Sequence, residues 1–558
     1  MNSRKYIFIS GGVISGLGKG VTAASIGRLL ESTGFSVTAI KVDMYLNLDA
    51  GTIRPQEHGE VFVTDDGLES DQDLGNYERF MNVNLGRANY ITTGQVYQEV
   101  LRRERAFEYQ GEDVEAIPHV TDEIIHRIKE AGRVQRAEIV IIEFGGTVGE
   151  YQNALFFEAS RIMKFKTPAD ILQVHVAYLP IPVSLGEMKS KPVQQSVKLL
   201  NSMGIQPDMI VGRADAPIDK RRRERLALFC NVRPEDVISN PNVDSIYEVP
   251  LILEAQRVGE IILEKLGLKP RRHNLKDWRK LVASIQRVKR EIKIAVVGKY
   301  FGTGDYTLSD SYISVIEAVK HGGWTQGIKP NMTWIDAERY ETNPKLVQEL
   351  NTYAGVIVPG GFGSRGVEGI ITAIKFAREQ KIPYLGLCYG MQLATVEFAR
   401  HVAHLIGAHT TEIKKRPTHP VIHIIPEQEK KLLKFEYGGT MRLGAYPAKL
   451  KKDTRAEKIY GRGRVSERHR HRYELNNEYR EILESAGLVI SGASPDGRLA
   501  EIIELPGERH PFFIGTQFHP EFQSRPLSPH PLFTAFVTAA KKRQLVSLTA
   551  DQLADPAL

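Results

Sequence analysis

Short β-branched apolar runs, each followed by a stretch of helical periodicity, recur along the chain in two series, and no other feature narrows the fold as much. In the first half Tyr6–Ser10 (YIFIS), Ser36–Val42 (SVTAIKV), Glu138–Phe144, Leu172–Tyr178 and Met209–Gly212 read as strands. Thr22–Ser32 and Leu251–Leu266 read as helices. Runs that are apolar throughout belong to strands covered on both faces, so the pattern predicts a parallel sheet between helical layers. The second series starts at Ile292–Gly298 (IKIAVVG) and continues through Ala354–Pro359, Pro383–Leu387, Leu488–Ser491 and Phe512–Thr516. The expected architecture is α/β with two doubly wound domains, residues 1–268 and 291–545. A basic, partly helical linker spans 269–290 and a frayed tail 546–558.

The 558 residues are 42% hydrophobic and 25% charged, which suits large buried cores and excludes wholesale disorder. No run reaches the ~18 apolar residues of a membrane span, and the apolar run near Met1 is too short for a signal peptide. Two cysteines exclude a disulfide framework and fit a reducing compartment, so a cytoplasmic protein without a membrane partner is expected. The net charge, 74 − 67 = +7, is small for the length and spread over both halves. No nucleic-acid motif accompanies it, so nucleic acid is not an expected partner. Anionic small substrates account equally well for local basic clusters.

Gly11–Gly20 (GGVISGLGKG) follows a strand and opens a helix. Such a glycine-rich, P-loop-like turn cradles phosphates: backbone N–H groups approach the anion, the helix N-terminus adds positive potential, and Lys19 reaches the terminal phosphates. It departs from a strict Walker A, because five residues rather than four separate Gly12 from Gly18, and Gly20 replaces the Ser or Thr that touches Mg²⁺. Carboxylates must then hold the metal. Asp71, Asp73 and Glu143 are candidates, Glu143 because it ends a buried strand where α/β sheets bind ligands. Helix caps and solvated charges are the ordinary uses of such residues.

Pro383–Gln392 (PYLGLCYGMQ) carries a strand into Cys388 and then into a helix, a nucleophile elbow with Cys in place of Ser. The following helix N-terminus favours thiolate. A base is needed, and His519 lies 519 − 388 = 131 residues downstream in FHPE, with Glu521 placed to orient the imidazole. Backbone N–H groups of Pro359–Gly363 (PGGFG) supply a candidate oxyanion hole. Cys230, in LALFCNV, reads as a core residue. The histidines of ERHRHRYE read as surface or packing residues.

With these motifs in order, the chain resembles the CTP synthases. The first half is similar to their synthetase domain in YIFISGGVISGLGKG, YLNLDAGT, HGEVFVTDDG, DLGNYERF, EFGGTVGE and Lys189–Gln194. VDSIYEVP and GGTMRLGA match as well, and the second half resembles class I glutamine amidotransferases in PGGFG, GLCYGMQ and QFHPE. The resemblance covers residues 4–540. It implies a carbon–nitrogen ligase of pyrimidine biosynthesis that takes ATP, UTP and L-glutamine, with Mg²⁺ as cofactor and GTP as allosteric activator. It also implies a homotetramer, with filaments as a further assembly.

Carried over by motif, Cys388, His519 and Glu521 are catalytic, and Gly361, Leu387, Gln392, Glu412 and Arg472 hold glutamine. Ser15, Gly16, Leu17, Gly18, Lys19, Gly20, Val21, Lys41 and Asp73 bind ATP, and Asp73 and Glu143 bind the metal. Ser15, Glu150, Tyr151, Gln152, Lys189, Ser190, Lys191, Pro192, Val193, Gln194 and Arg225 bind UTP or CTP. Pro55, His58 and Val61 match the constriction of an ammonia tunnel, and Thr440–Leu443 the lid linked to GTP. The chain departs from the family text at Met44, Ala50, Arg54, Glu57, Asn76, Glu150-Tyr151-Gln152 and Tyr389. Several of these positions lie on the nucleotide-recognition side. Three readings follow: UTP amination, the same chemistry on a modified pyrimidine nucleotide or in a paralogue relieved of CTP inhibition, and a non-catalytic nucleotide-binding scaffold. Retention of Lys19, Glu143, Cys388 and His519 speaks against the scaffold.

Overall fold

The computed structural model describes residues 3–299, 302–303, 306–307, 309–425 and 441–554. Two compact units divide the chain, and they do not follow a contiguous cut. Met1–Ala50 and Asp73–Val282 form the first, while Gly51–Gln72 joins Ala283–Leu558 in the second. The HGEVFVTDD stretch therefore belongs with the later half of the chain.

In the first unit seven strands form one sheet: β1 (Lys5–Gly12), β2 (Val37–Asp43), β3 (Tyr90–Thr92), β4 (Ile139–Phe144), β5 (Ile171–Tyr178), β6 (Met209–Ala214) and β7 (Val237–Pro241). Their order is β3-β2-β4-β1-β5-β6-β7 and every pairing is parallel. The apolar runs make the buried centre, with Ile7, Phe8, Ile9, Ile141 and Ile142 fully shielded. Each predicted strand falls within about two residues of its expected bounds. The expected helix Leu251–Leu266 is instead two, Val249–Ala255 and Val258–Lys265, because Arg257 between them takes a left-handed φ of 59°. Much of the expected linker is packed structure. Lys276–Arg287 is a helix whose Trp278 is fully buried, donates to the Tyr247 carbonyl (2.8 Å) and lies under the Arg28 guanidinium.

The second unit holds a nine-stranded sheet: β8 (Glu291–Gly298), β9 (Lys329–Asp336), β10 (Gly355–Val358), β11 (Tyr384–Leu387), β12 (Arg442–Leu450), β13 (Arg464–His471), β14 (Val489–Ala493), β15 (Ala500–Glu504) and β16 (Phe513–Thr516). The order is β9-β8-β10-β11-β16-β15-β14-β12-β13. The first five strands in that order pair parallel, and the rest antiparallel. In this antiparallel wing the sequence signals only β14, expected at Leu488–Ser491; β12, β13 and β15 carry charged residues that interrupt any continuous apolar run. The final helix runs from Pro531 to Ala554 and passes through Val546, so the expected frayed tail is helical over most of its length. Among the described residues, no helix is long and apolar enough to cross a membrane.

Candidate active sites

In the first unit β1 delivers the chain into the glycine loop, and helix α1 (Lys19–Ser32) leaves it. Val13 sits at φ 84°, a strained position for a β-branched residue, and Gly18 caps the helix at φ 76°. The tip, Ser15 and Gly16, is exposed, Val21 is half-buried, and the Leu17 side chain is buried, so Leu17 can offer a ligand only its backbone. Lys19 is also buried, and its Nζ donates to the Gly146 carbonyl (2.8 Å). Burial and the nearby Lys41 lower its pKa from the usual lysine range against the pull of Glu143.

Gly20 explains the missing Walker hydroxyl. A Cβ built there would stand 2.5 Å from the Asp73 carboxyl carbon. The volume a Ser or Thr side chain would need is occupied by a carboxylate from another segment. Asp73 in turn ion-pairs with Lys41 and accepts from Asn76 Nδ2 (3.2 Å). Lys41 on β2 stands in register with Glu143 on β4, and its Nζ lies 3.2 Å from that carboxylate. The Tyr77 hydroxyl donates to Glu143 as well. Burial pushes the Asp73 carboxyl up, but the Lys41 ammonium outweighs it and holds the pKa below the usual range. Glu143 goes the other way: burial, with the Asp73 charge beside it, raises its pKa. Two carboxylates sharing one ammonium are the donor set that suits Mg²⁺ when phosphate oxygens and water complete its shell. Asp71 falls in the second unit.

The residues expected at the pyrimidine nucleotide are engaged locally. Glu150 accepts from the Thr147 N–H (2.6 Å) and hydroxyl (2.8 Å), while Tyr151 is 99% exposed and Gln152 is exposed. Lys189 pairs with Glu187 (2.8 Å), and Gln194 Nε2 donates to the Ser190 hydroxyl (3.1 Å). Lys191 and Pro192 open a helix, Lys191–Ser202, which buries Val193 in the core, so Val193 likewise has only backbone to offer. Arg225 lies over the Phe229 ring at 5.7 Å.

In the second unit β11 ends at Leu387, which is fully buried, and α2 (Tyr389–His401) begins directly after Cys388. Cys388 between them has φ 49° and ψ −97°, the strained elbow that the flanking glycines predicted. Gln517 Nε2 approaches its Sγ at 3.7 Å, and the thiol points to the Arg470 carbonyl at 3.8 Å. His519 Nδ1 is 2.7 Å from Glu521 Oε1. Burial disfavours an imidazolium there, but the Glu521 charge and Cys388 outweigh it and raise the His519 pKa to about 10. Gly360 permits this packing, since a Cβ there would stand 2.7 Å from the His519 ring.

Around the thiol, Gln392 Nε2 donates to the Tyr473 carbonyl (2.9 Å) and reaches Gln517 (3.4 Å). Glu412 accepts from the Gly363 N–H (2.8 Å), and burial raises its pKa. Arg472 is half-buried between His471 and Tyr473. The Tyr389 hydroxyl donates to the Gly363 carbonyl (2.8 Å), and Lys299 lies over its ring at 4.5 Å while also donating to that carbonyl (2.5 Å). Lys299 is pushed down to about 8 by burial. Lys299, Tyr77 and Gln517 were missed in the sequence. Lys299 alone carried a signal, a charge just past the apolar run IAVVG.

A cavity of about 90 Å³ is lined by Cys388, His519, Glu521, Gly360 and Gly361, and by Pro55, Glu60 and Val61 from the Gly51–Gln72 segment. The structure thus places two of the expected constriction residues beside the thiol. His58 ends the short helix Pro55–His58, and its side chain lies outside the described residues. Thr440 lies outside them too, while Arg442 beyond it pairs with Glu501 (2.7 Å). Cys230 is fully buried, with its thiol pushed up to about 11 by burial.

Comparison with known proteins matches residues 5–268 to the CTP synthase N-terminus family and residues 307–539 to the class-I glutamine amidotransferase family. The chain is 52% identical to the CTP synthase of Caldanaerobacter subterraneus subsp. tengcongensis over 96% of its own length and 98% of that protein's. It is 49% identical to the CTP synthase of Halalkalibacterium halodurans over 97% and 99%. Among solved structures it is similar to the glutaminase domain of Trypanosoma brucei CTPS with bound acivicin, at 37% identity and a TM-score of 0.41, covering 45% of this chain and 94% of that one.

Proposed function

The chain belongs to the CTP synthases, ATP-dependent ligases that aminate UTP to CTP with nitrogen from glutamine, and from that premise we propose how its residues divide the work. Cys388 Sγ attacks the glutamine carboxamide carbon, and the imidazolium of His519, held by Glu521, gives a proton to the departing ammonia. The Gly361 N–H receives the oxyanion. Water then hydrolyses the thioester, with His519 as base. Gln392, Glu412, Arg472 and the Leu387 backbone hold the amino-acid end of glutamine.

In the other unit the loop Ser15–Val21 cradles ATP, and Lys19 and Lys41 neutralise charge as the γ-phosphoryl passes to O4 of UTP. Ammonia displaces that phosphate from C4. Asp73 and Glu143 hold Mg²⁺, which when bound screens the phosphate charge. Residues 150–152, Lys189–Gln194 and Arg225 receive the pyrimidine nucleotide. Pro55, His58 and Val61 line the ammonia's way out. GTP acts through Thr440–Leu443, and the enzyme works as a cytoplasmic homotetramer.

The observation that carries this reading is the strained Cys388 beside the His519–Glu521 pair, 2.7 Å apart, opening on the cavity that Pro55 and Val61 share. Supplying MgATP, UTP and glutamine labelled with ¹⁵N at the amide tests it. CTP carrying the label at its exocyclic nitrogen is expected, and unlabelled CTP or none breaks the reading.

A further inference from the structure

Glu60 is a buried carboxylate that the chemistry above leaves unused, yet it stands in the wall of the thiol cavity. Both of its oxygens lie 3.1 Å from the Ser314 N–H, and the Ser314 hydroxyl donates to it as well. Ser314 is the second residue of the helix Ile313–Thr325, whose own N-cap residue, Tyr312, makes no side-chain capping bond. Capping is thus supplied from 254 positions away in the chain, by a charge matched to the helix dipole. The same turn is stitched twice more. Ser311 approaches the Pro55 carbonyl (3.5 Å), and the Tyr312 hydroxyl donates to the Gly360 carbonyl (3.1 Å). Pro55, Glu60, Ser311, Tyr312 and Gly360 all line the cavity, so these bonds close one side of it.

We infer that Glu60 is a positioning residue that latches this wall shut and keeps ammonia released at Cys388 from escaping to water. Leakage matters because ammonia that reaches neutral water becomes ammonium, which is no nucleophile. The latch joins Glu60 to the Ser314 turn and includes none of the residues assigned above to glutamine or the nucleotides. Its loss therefore uncouples the two reactions without stopping either. The inference rests on Cys388 being the ammonia source.

The test uses the full chain with MgATP and UTP, and measures glutamate and CTP together. Glutamine or ammonium chloride is the nitrogen source. In Glu60→Gln the ratio of glutamate to CTP should rise by about threefold or more, the scale of losing a charge-assisted bond from the latch. Ammonium-driven synthesis and the KM for glutamine should stay at the native level. Ser314→Ala, which keeps the carboxylate and removes one donor, should raise the ratio less. A native ratio in folded Glu60→Gln overturns the inference, as does an equal loss of ammonium-driven synthesis. Should Glu60→Gln not fold, a native ratio in Ser314→Ala overturns it alone. Native protein and Cys388→Ala run alongside: if Cys388→Ala still releases glutamate, the assignment of the thiol fails, whatever the Glu60 result.

Discussion

The phosphate cradle and the thiol centre solve opposite problems. The cradle concentrates charge: Lys19, Lys41, Asp73 and Glu143 come from four separate segments and are mutually compensated in a buried cluster. The thiol centre concentrates strain and a single ion-paired imidazole, with Cys388 in a left-handed conformation and His519 against Gly360. A site that must meet a polyanion is built from charges whose cost is met by each other. A site that must expose one nucleophile is built from backbone that only a tight glycine-flanked turn can hold. Substitutions should therefore separate the two.

The largest separation is expected from Cys388→Ala. Glutamine-driven synthesis should fall by ~10⁴ or more, as when the nucleophile of a triad is removed, while ammonium-driven synthesis is untouched. Parallel assays with the two nitrogen sources check it. Loss of both routes in folded protein would erase the distinction between the sites.

Lys19→Ala should lower synthesis from either source by ~10²–10³, the loss of one preorganised charge at a transition state, while leaving the glutaminase reaction. Gly20→Ser restores the Walker hydroxyl but drives it into the Asp73 carboxylate. Overpacking of this kind costs ~1–3 kcal/mol; where that cost falls on placing Asp73, a roughly 5- to 150-fold fall in both synthetic routes is expected. Equal or better activity would show that Asp73 moves aside readily.

Glu521→Gln acts on the thiol centre alone. The Glu521 charge, with Cys388, raises the His519 pKa to about 10 against burial. Without that charge the proton leaves at lower pH, and the alkaline limb of glutaminase kcat/KM should move down by ~1–2 pH units. An unmoved limb would assign the raised pKa to another group. The smallest effect is expected from Tyr389→Phe, which keeps the ring beneath Lys299 and deletes one bond to the Gly363 carbonyl. That is worth ~1 kcal/mol, or about a fivefold rise in the KM for glutamine.

Much of both sites was legible in the chain. The cradle and the elbow are local, because a strand, a glycine turn and a helix start within a dozen residues, and their backbone consequences follow from residue type. The parallel strands were legible for the same reason, being apolar throughout. Contacts between distant segments were not. Lys41 facing Glu143 depends on a register between strands that no local pattern encodes. Nothing in ERHRHRYE marks its arginines for burial, yet Arg468 is fully buried on Asp65, and Arg470 binds Glu69 at 2.8 Å. Those pairs hold the Gly51–Gln72 segment in the second unit, against the expectation that it stays with its sequence neighbours.

The α/β class, the glycine loop and the elbow at Cys388 could be read from the chain alone, because glycine turns, a nucleophile elbow and apolar strand runs act over a few residues. Only the tertiary structure decided that Asp73 fills the space beside Gly20, that Glu60 caps a helix 254 positions away, and that Pro55 and Val61 wall the thiol cavity. Each of these needs a buried polar group to find its partner across the fold. That partner is set by which surfaces pack together rather than by spacing along the chain.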